Sequence, residues 1–244
     1  MPAARESLLD AAYTALTERA WAAVRMVDVA AAAGVSRQTL YNEFGSKEGL
    51  ARALVRRETD NYLAGVARAL SQGSPAAGTR GDAAGRVAAA AAWTLRTARA
   101  NPLVRAALTG CWSDRLPAPS PAAADTATLR AAGPGIPAQR AASPGDGPLP
   151  GPAELVGRFC DQAVAALESD WPEEQLPALG AACETAARLT LACVVAPVTP
   201  GAAPSPGRVP APRSRRELET EAVSRLVRGA FARVPADARP GERR

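Results

Sequence analysis

Gln38 and Asn42 each carry a carboxamide, which presents a hydrogen-bond donor beside an acceptor, the pair that matches an adenine edge. Thr39, between them, has a methyl group suited to the methyl of thymine. Residues four apart share a helix face, and a wheel at about 100° per residue over 37–44 sets Gln38, Thr39 and Asn42 together, pointing outward. Leu40 and Phe44 fall on the opposite side, with Val29 and Val35 expected beside them in an inner core. Arg37 and Tyr41 lie on one flank, where a cation and a phenol can reach phosphates. Glu43 lies on the other flank and would repel phosphate, so it is expected to turn away or to read cytosine. Lys47 opens the following helix, where its charge and the free backbone N–H groups can hold a phosphate together. The same polar face would also suit a helix that is merely solvated. What decides between these readings is the set of elements around it.

Residues 5–19 read as a first helix, with Leu8, Leu9, Ala12, Tyr13 and Leu16 at helical spacing. A short alanine-rich helix follows at 27–33. Gly34 ends it, as glycine does where a helix terminus turns left-handed. Ser36 has the type of an N-cap for a helix running to about Phe44, and Gly45 stops that one. Ser46 can cap a long helix reaching about Leu70. Two short helices joined by a glycine-containing turn form a helix-turn-helix, whose second helix enters the DNA major groove. Further helices are expected at 83–100, 102–112, 153–169, 174–196 and 214–233. Nine prolines between 117 and 152 make 113–152 an irregular insertion, with a helical turn feasible around Ala122–Ala131. A second Pro/Gly-rich loop covers 197–212. No segment alternates as a strand does, so the expected class is all-α.

Composition narrows the function classes. The chain of 244 residues has a formal net charge of +5, with 47% apolar residues and 4% aromatics. Residues 1–60 carry eight basic and eight acidic side chains, and the surplus lies in 208–244, with ten Arg against five acids. The charge excess therefore sits far from the motif and does not itself argue for DNA. There is no histidine, and the four cysteines, Cys111, Cys160, Cys183 and Cys193, form no CxxC pair. That excludes imidazole-dependent triads and His-containing metal sites. No nucleophile–base pair, metal site or cofactor motif is legible, so an enzyme is not expected. The N-terminus lacks a signal-peptide core, and the most apolar runs, near 87–95 and 189–198, look too short to span a bilayer. The expected location is the cytoplasm, with free thiols and no membrane partner.

The segment VDVAAAAGVSRQTLYNEFGSKEGL, residues 27–50, resembles the N-terminal domain of TetR-family regulators. The matching features are Val29-Ala30, Ala33-Gly34-Val35-Ser36, Thr39-Leu40-Tyr41, Phe44 and Ser46-Lys47-Glu48 before Leu50. The resemblance covers about residues 5–60. Two positions depart from it. Ala20 stands where members often have Gly, and Arg25 where they often have a phosphate-contacting Thr; the longer cation can still reach a phosphate. The run ANPLVRAALTG, a later WP and a closing LTLACVVAP look like an actinobacterial group of such regulators, some associated with alkane or lipid oxidation.

The resemblance implies an N-terminal three-helix head, residues 1–47, and a helical regulatory and dimerisation domain, residues 48–234, with a flexible tail at 235–244. It implies a homodimer joined through its last two major helices, here 174–196 and 214–233. It also implies a repressor that binds a pseudo-palindromic double-stranded operator and is released by a small effector. Trp93, Leu103, Cys111, Trp112, Phe159, Cys160 and Trp171 are the candidate pocket residues, each more simply explained as core packing. Few ionisable groups lie among them, so an apolar effector is expected. The alternatives are an all-α interaction protein that has lost DNA binding and an activator of the same fold.

Overall fold

Alanine is the most useful guide to how the chain packs, because helices rich in it approach one another closely. In the computed structural model, residues 2–72, 83–118, 149–196 and 214–232 are described, and among them every regular element is helical. The α-helices are α1 (Pro2–Glu18), α2 (Met26–Ala32), α3 (Arg37–Phe44), α4 (Lys47–Gln72), α5 (Ala83–Ala100), α6 (Pro102–Thr109), α7 (Pro152–Leu167), α8 (Leu176–Val195) and α9 (Arg215–Phe231). Single 3-10 turns stand at Trp21–Ala23, Glu168–Asp170 and Glu173–Gln175. The regions expected at 122–131, 197–212 and 235–244 lie outside the described residues.

The chain divides into two units: Met1–Asp60 with Gly110–Pro150, and Asn61–Thr109 with Gly151–Arg244. Helix α4 thus begins in the first unit and ends in the second.

In the first unit, α1 buries Leu8, Leu9, Ala12 and Leu16, and α2 packs on both α1 and α3. Leu40 of α3 and Leu50, Leu54 and Val55 of α4 are also buried. Residues after α6 belong to this unit as well. The Trp21 N–H donates to the Arg115 carbonyl at 2.8 Å, and a turn closes from the Leu116 N–H to the Ser113 carbonyl at 2.9 Å.

In the second unit, α5 packs against α6, α8 and α9. Val87, Ala88, Ala90, Ala91, Ala92 and Leu95 are all buried along it. Against α4 the approach is closer still: a Cβ on Gly65 would overlap the indole of Trp93, whose Nε1–H donates to the Tyr62 carbonyl at 3.3 Å. Arg86 ties two helix ends together. Its Nε donates to the Leu70 carbonyl at 2.6 Å and its Nη2 to the Ala166 carbonyl at 2.7 Å, so one cation satisfies the free carbonyls of α4 and α7.

Helix ends follow the residue types. Asn101 caps α6, accepting from the Leu103 N–H at 3.0 Å. Helix α6 stops at Thr109, before the expected 112, because Gly110 is left-handed at φ +71. Ser214 and Glu217 form a reciprocal capping box at the start of α9. Glu173–Val195 proves long and apolar enough to cross a membrane, with a mean hydropathy of 1.4, which the shorter runs seen in the sequence did not suggest. In this fold its apolar stripe, including Leu179, Cys183, Ala186 and Ala187, is buried against α5, α7 and α9.

Candidate DNA-binding surface

Helix α3 is only eight residues long, too short to persist without help at its ends. Ser36 supplies that help at the N-terminus. Its Oγ accepts from the Thr39 N–H at 3.0 Å, and Gly34 before it is left-handed at φ +68, which a residue with a Cβ rarely adopts. Thr39 Oγ1 lies 2.9 Å from Ser36 Oγ, so the threonine hydroxyl is held back and its methyl is left to make contacts. At the C-terminus the chain turns through Gly45, whose N–H donates to the Tyr41 carbonyl at 2.9 Å.

Gln38, Thr39 and Asn42 are all exposed, while Leu40 is fully buried beneath them. The two carboxamides are joined, Gln38 Nε2 donating to Asn42 Oδ1 at 2.7 Å. Gln38 still offers its second N–H and its Oε1, a donor and an acceptor on one edge. The guanidinium of Arg37 stacks over the ring of Tyr41 at 5.3 Å, which orients a cation along the flank of the helix.

The remaining phosphate candidates are tethered. Lys47 Nζ donates to the Ala22 carbonyl at 3.1 Å and lies 5.5 Å from the centre of the Trp21 ring; two of its three donors remain. Arg25, at the N-cap of α2, is paired fork-to-fork with Asp28, both bonds at 3.0 Å. The Arg25 hydrogen bond holds the Asp28 carboxyl below its usual range, so a phosphate at Arg25 must compete with a carboxylate. Glu43 turns away from the Gln38 face to Arg5, at 2.8 Å, and the same guanidinium covers the Phe44 ring at 4.9 Å.

Residue pairings of this kind, Arg5 with Glu43 and Trp21 with Lys47, are separated by 38 and by 26 positions, and no spacing rule announces them. Gly49 did leave a signal, since glycine inside a helix costs about 1 kcal/mol relative to alanine and needs a reason. The reason is space: a Cβ there would overlap the Phe44 carbonyl oxygen. Gly49→Ala should therefore lower stability by about 1–3 kcal/mol through overpacking. Gly157→Ala in α7, where a Cβ meets nothing within 4 Å, should raise it by about 0.5–1 kcal/mol. Urea denaturation of the two variants checks the opposite signs; two shifts of equal sign would remove the close contact as an explanation.

The seven residues expected at a pocket fall in both units. Cys111 and Trp112 belong to the first unit, and Cys111 is exposed; the other five belong to the second. Trp93 is taken up against Gly65. Size and apolarity select packing residues as readily as pocket residues. The second unit has a small pocket with about 10 Å³ of free space, lined by Tyr62, Thr94, Leu108, Leu155, Val156, Phe159, Ala187, Thr190 and Leu191. Phe159 alone of the seven lines it. An open cleft of about 660 Å³ lies between the end of α5 and the start of α9, beside Arg96, Arg99, Glu217 and Glu221. Burial pushes the Cys160 thiol up to about 11 and the Cys183 thiol up to about 12, so both are inert at neutral pH. No metal-binding cluster occurs among the described residues.

Residues 8–54 match the family described as bacterial regulatory proteins, tetR family. The HTH-type transcriptional regulator AlkX of Mycobacterium tuberculosis is 50% identical over 62 residues, 25% of this chain and 29% of that protein. The HTH-type transcriptional activator FasR of Mycolicibacterium smegmatis is 41% identical over 66 residues, 27% of this chain and 30% of that protein. The chain thus spans less than a third of the length of these curated relatives. Among solved structures, the TetR family repressor AlkX from Dietzia, implicated in biodegradation of n-alkanes, aligns over 95% of this chain and 97% of its own, with 22% identity and a TM-score of 0.46. Residues 8–54, with their capped eight-residue helix over a buried leucine and a left-handed glycine before it, therefore form a helix-turn-helix segment that matches the TetR family.

Proposed function

We propose that the chain is a homodimeric, ligand-responsive transcriptional repressor that lays α3 in the major groove of a pseudo-palindromic operator. The observation carrying this is the exposed row of Gln38, Thr39 and Asn42, with Arg37 and Tyr41 stacked on its flank and Lys47 held nearby. In this reading Gln38 and Asn42 read adenine edges and Thr39 meets a thymine methyl. Arg25, Arg37, Tyr41 and Lys47 hold phosphates. One eight-residue helix contacts too few base pairs for specificity, so two heads about 34–36 Å apart are needed. The regulator works in the cytoplasm, without a cofactor. A small apolar effector enters the second unit and lowers operator affinity.

The test is selection of DNA from a random pool by the full chain, followed by titration of variants. Gln38→Ala and Asn42→Ala should each cost about 1–3 kcal/mol and relax the preference at one position. Lys47→Ala should weaken binding to all sequences and reduce the salt slope by about 1. Failure to enrich any sequence over random DNA, at every salt concentration, would leave an interaction protein that has lost DNA binding. An activator role is the second reading, favoured by the name of the relative FasR; deletion of the gene should raise transcription from the selected site for a repressor and lower it for an activator.

A further inference from the structure

Arg25 stands where a helix begins, yet it cannot do what a residue there most often does. It is the N-cap of α2, in extended backbone at φ −105 and ψ 138, and its side chain makes no cap bond, because a guanidinium has donors and no acceptor. It lies instead along the first turn of α2, on Asp28. Its Nε donates to Asp28 Oδ2 and its Nη2 to Asp28 Oδ1, both at 3.0 Å. Asp28 is braced from a second side, since Nη1 of Arg19, just past the end of α1, lies 3.6 Å from Asp28 Oδ2. Arg19 is itself shared with Glu18, at 3.8 Å.

Arg25 is 74% exposed and Asp28 31%, and a pair this exposed adds little to folding. Its effect is on direction. An arginine has five N–H groups in one rigid plane. The carboxylate takes the edge formed by Nε and Nη2. The edge formed by Nη1 and Nη2 keeps one N–H on each nitrogen, parallel and directed away from Asp28. Two such donors match a phosphate as a fork. The same turn carries another phosphate candidate: Ala22, three residues earlier, holds Lys47 by its carbonyl at 3.1 Å. The first helix of a helix-turn-helix also crosses the DNA backbone.

We propose that Asp28 is a positioning residue for DNA: by fixing one edge of the Arg25 guanidinium, it aims the other at a single phosphate and so favours the operator over random DNA. This rests on reading α3 as the helix that enters the major groove. Binding to random DNA needs only positive charge nearby, which a mobile arginine supplies equally well. Binding in one register needs the cation in one place. Ordering a free arginine side chain at an interface costs about two- to tenfold in affinity, and the fork to Asp28 removes that cost before DNA arrives. A carboxylate that only repelled phosphate would instead weaken all binding alike.

The experiment measures Kd of the full chain for the selected sequence and for random DNA at one salt concentration, and takes their ratio. Asp28→Asn should lower the ratio about two- to tenfold, with random DNA bound at least as tightly as by the parent. Arg25→Lys keeps the charge without the fork and should lower the ratio similarly. In an Arg25→Ala background, Asp28→Asn should leave the ratio unchanged, because Asp28 acts through Arg25. The urea midpoint of Asp28→Asn should stay near that of the parent; if that variant unfolds, Arg25→Lys, which leaves the acid of α2 in place, decides the comparison. Equal tightening on both DNAs would reduce Asp28 to a repulsive charge and overturn the inference. So would an unchanged ratio in Arg25→Lys, or a fall that persists without Arg25. A parent that bound the selected sequence no better than random DNA would remove the major-groove reading itself, and the inference with it.

Discussion

Leu40→Ala should lower the stability of the chain by about 2–5 kcal/mol, the range for a buried leucine whose cavity cannot fully collapse, and should abolish specific DNA binding. Leu40 is fully buried, as are Leu8, Leu50 and Leu54 in the same unit. It is the buried residue of α3, Tyr41 and Phe44 being half-buried. A helix of eight residues has little stability of its own, and the loss is large against a typical total of about 5–15 kcal/mol. Leu40→Met keeps the volume and should cost less than about 1.5 kcal/mol. Urea unfolding gives the first comparison and titration of the selected DNA the second. An alanine variant that unfolded like the parent would mean that α3 does not hang on this side chain.

The second large effect is expected at Arg57, which holds α4 to α1. Its Nη1 reaches Asp10 at 2.6 Å and Glu6 at 3.6 Å, while its Nε and Nη2 both reach Glu58, at 3.0 and 2.8 Å. Asp10 and Glu6 are 74% and 58% exposed, and pairs to such groups are worth about 0–1 kcal/mol. Glu58 is different, at 11% exposed against 15% for Arg57. Removing one member of a buried pair costs about 3–5 kcal/mol, because the other charge stays behind in low dielectric. Arg57→Met should fall in that range. Arg57→Met with Glu58→Leu should recover most of it, since replacing both members by apolar groups is close to neutral. The urea midpoints of the two singles and the double decide the matter: if the double were as unstable as Arg57→Met, the charge left behind would not be the cause.

What could be read in advance was whatever a single residue type states locally. Gly34, Ser36 and Gly45 each mark a helix boundary, and the elements begin or end beside them. The two faces of α3 follow from its period alone, Leu40 inward and Gln38, Thr39 and Asn42 outward. Pairings through space were not legible. Arg5 with Glu43, Arg57 with Asp10, and Trp21 with Arg115 join residues far apart in the chain by contacts that no periodicity encodes. The small pocket was missed for a related reason. Thr94 and Thr190 look like ordinary polar residues in helices, and only the packing of α5, α7 and α8 turns them inward with Tyr62. Tryptophan and cysteine drew attention by size, but close packing had already claimed Trp93 and solvent had claimed Cys111.

The bond from Trp21 to Arg115 bears on how this protein can be dissected. Cutting after α4 would seem to release a small independent DNA-binding fragment, since the helix-turn-helix is complete by Phe44. Such a fragment would lack residues 110–118, and the Trp21 N–H would lose its acceptor in the very turn that holds Lys47 through the Ala22 carbonyl. A polypeptide stretch made some ninety residues later thus completes the head. During synthesis the Trp21–Arg115 bond can close only after α6 has emerged, and a truncated gene product would present α3 without it.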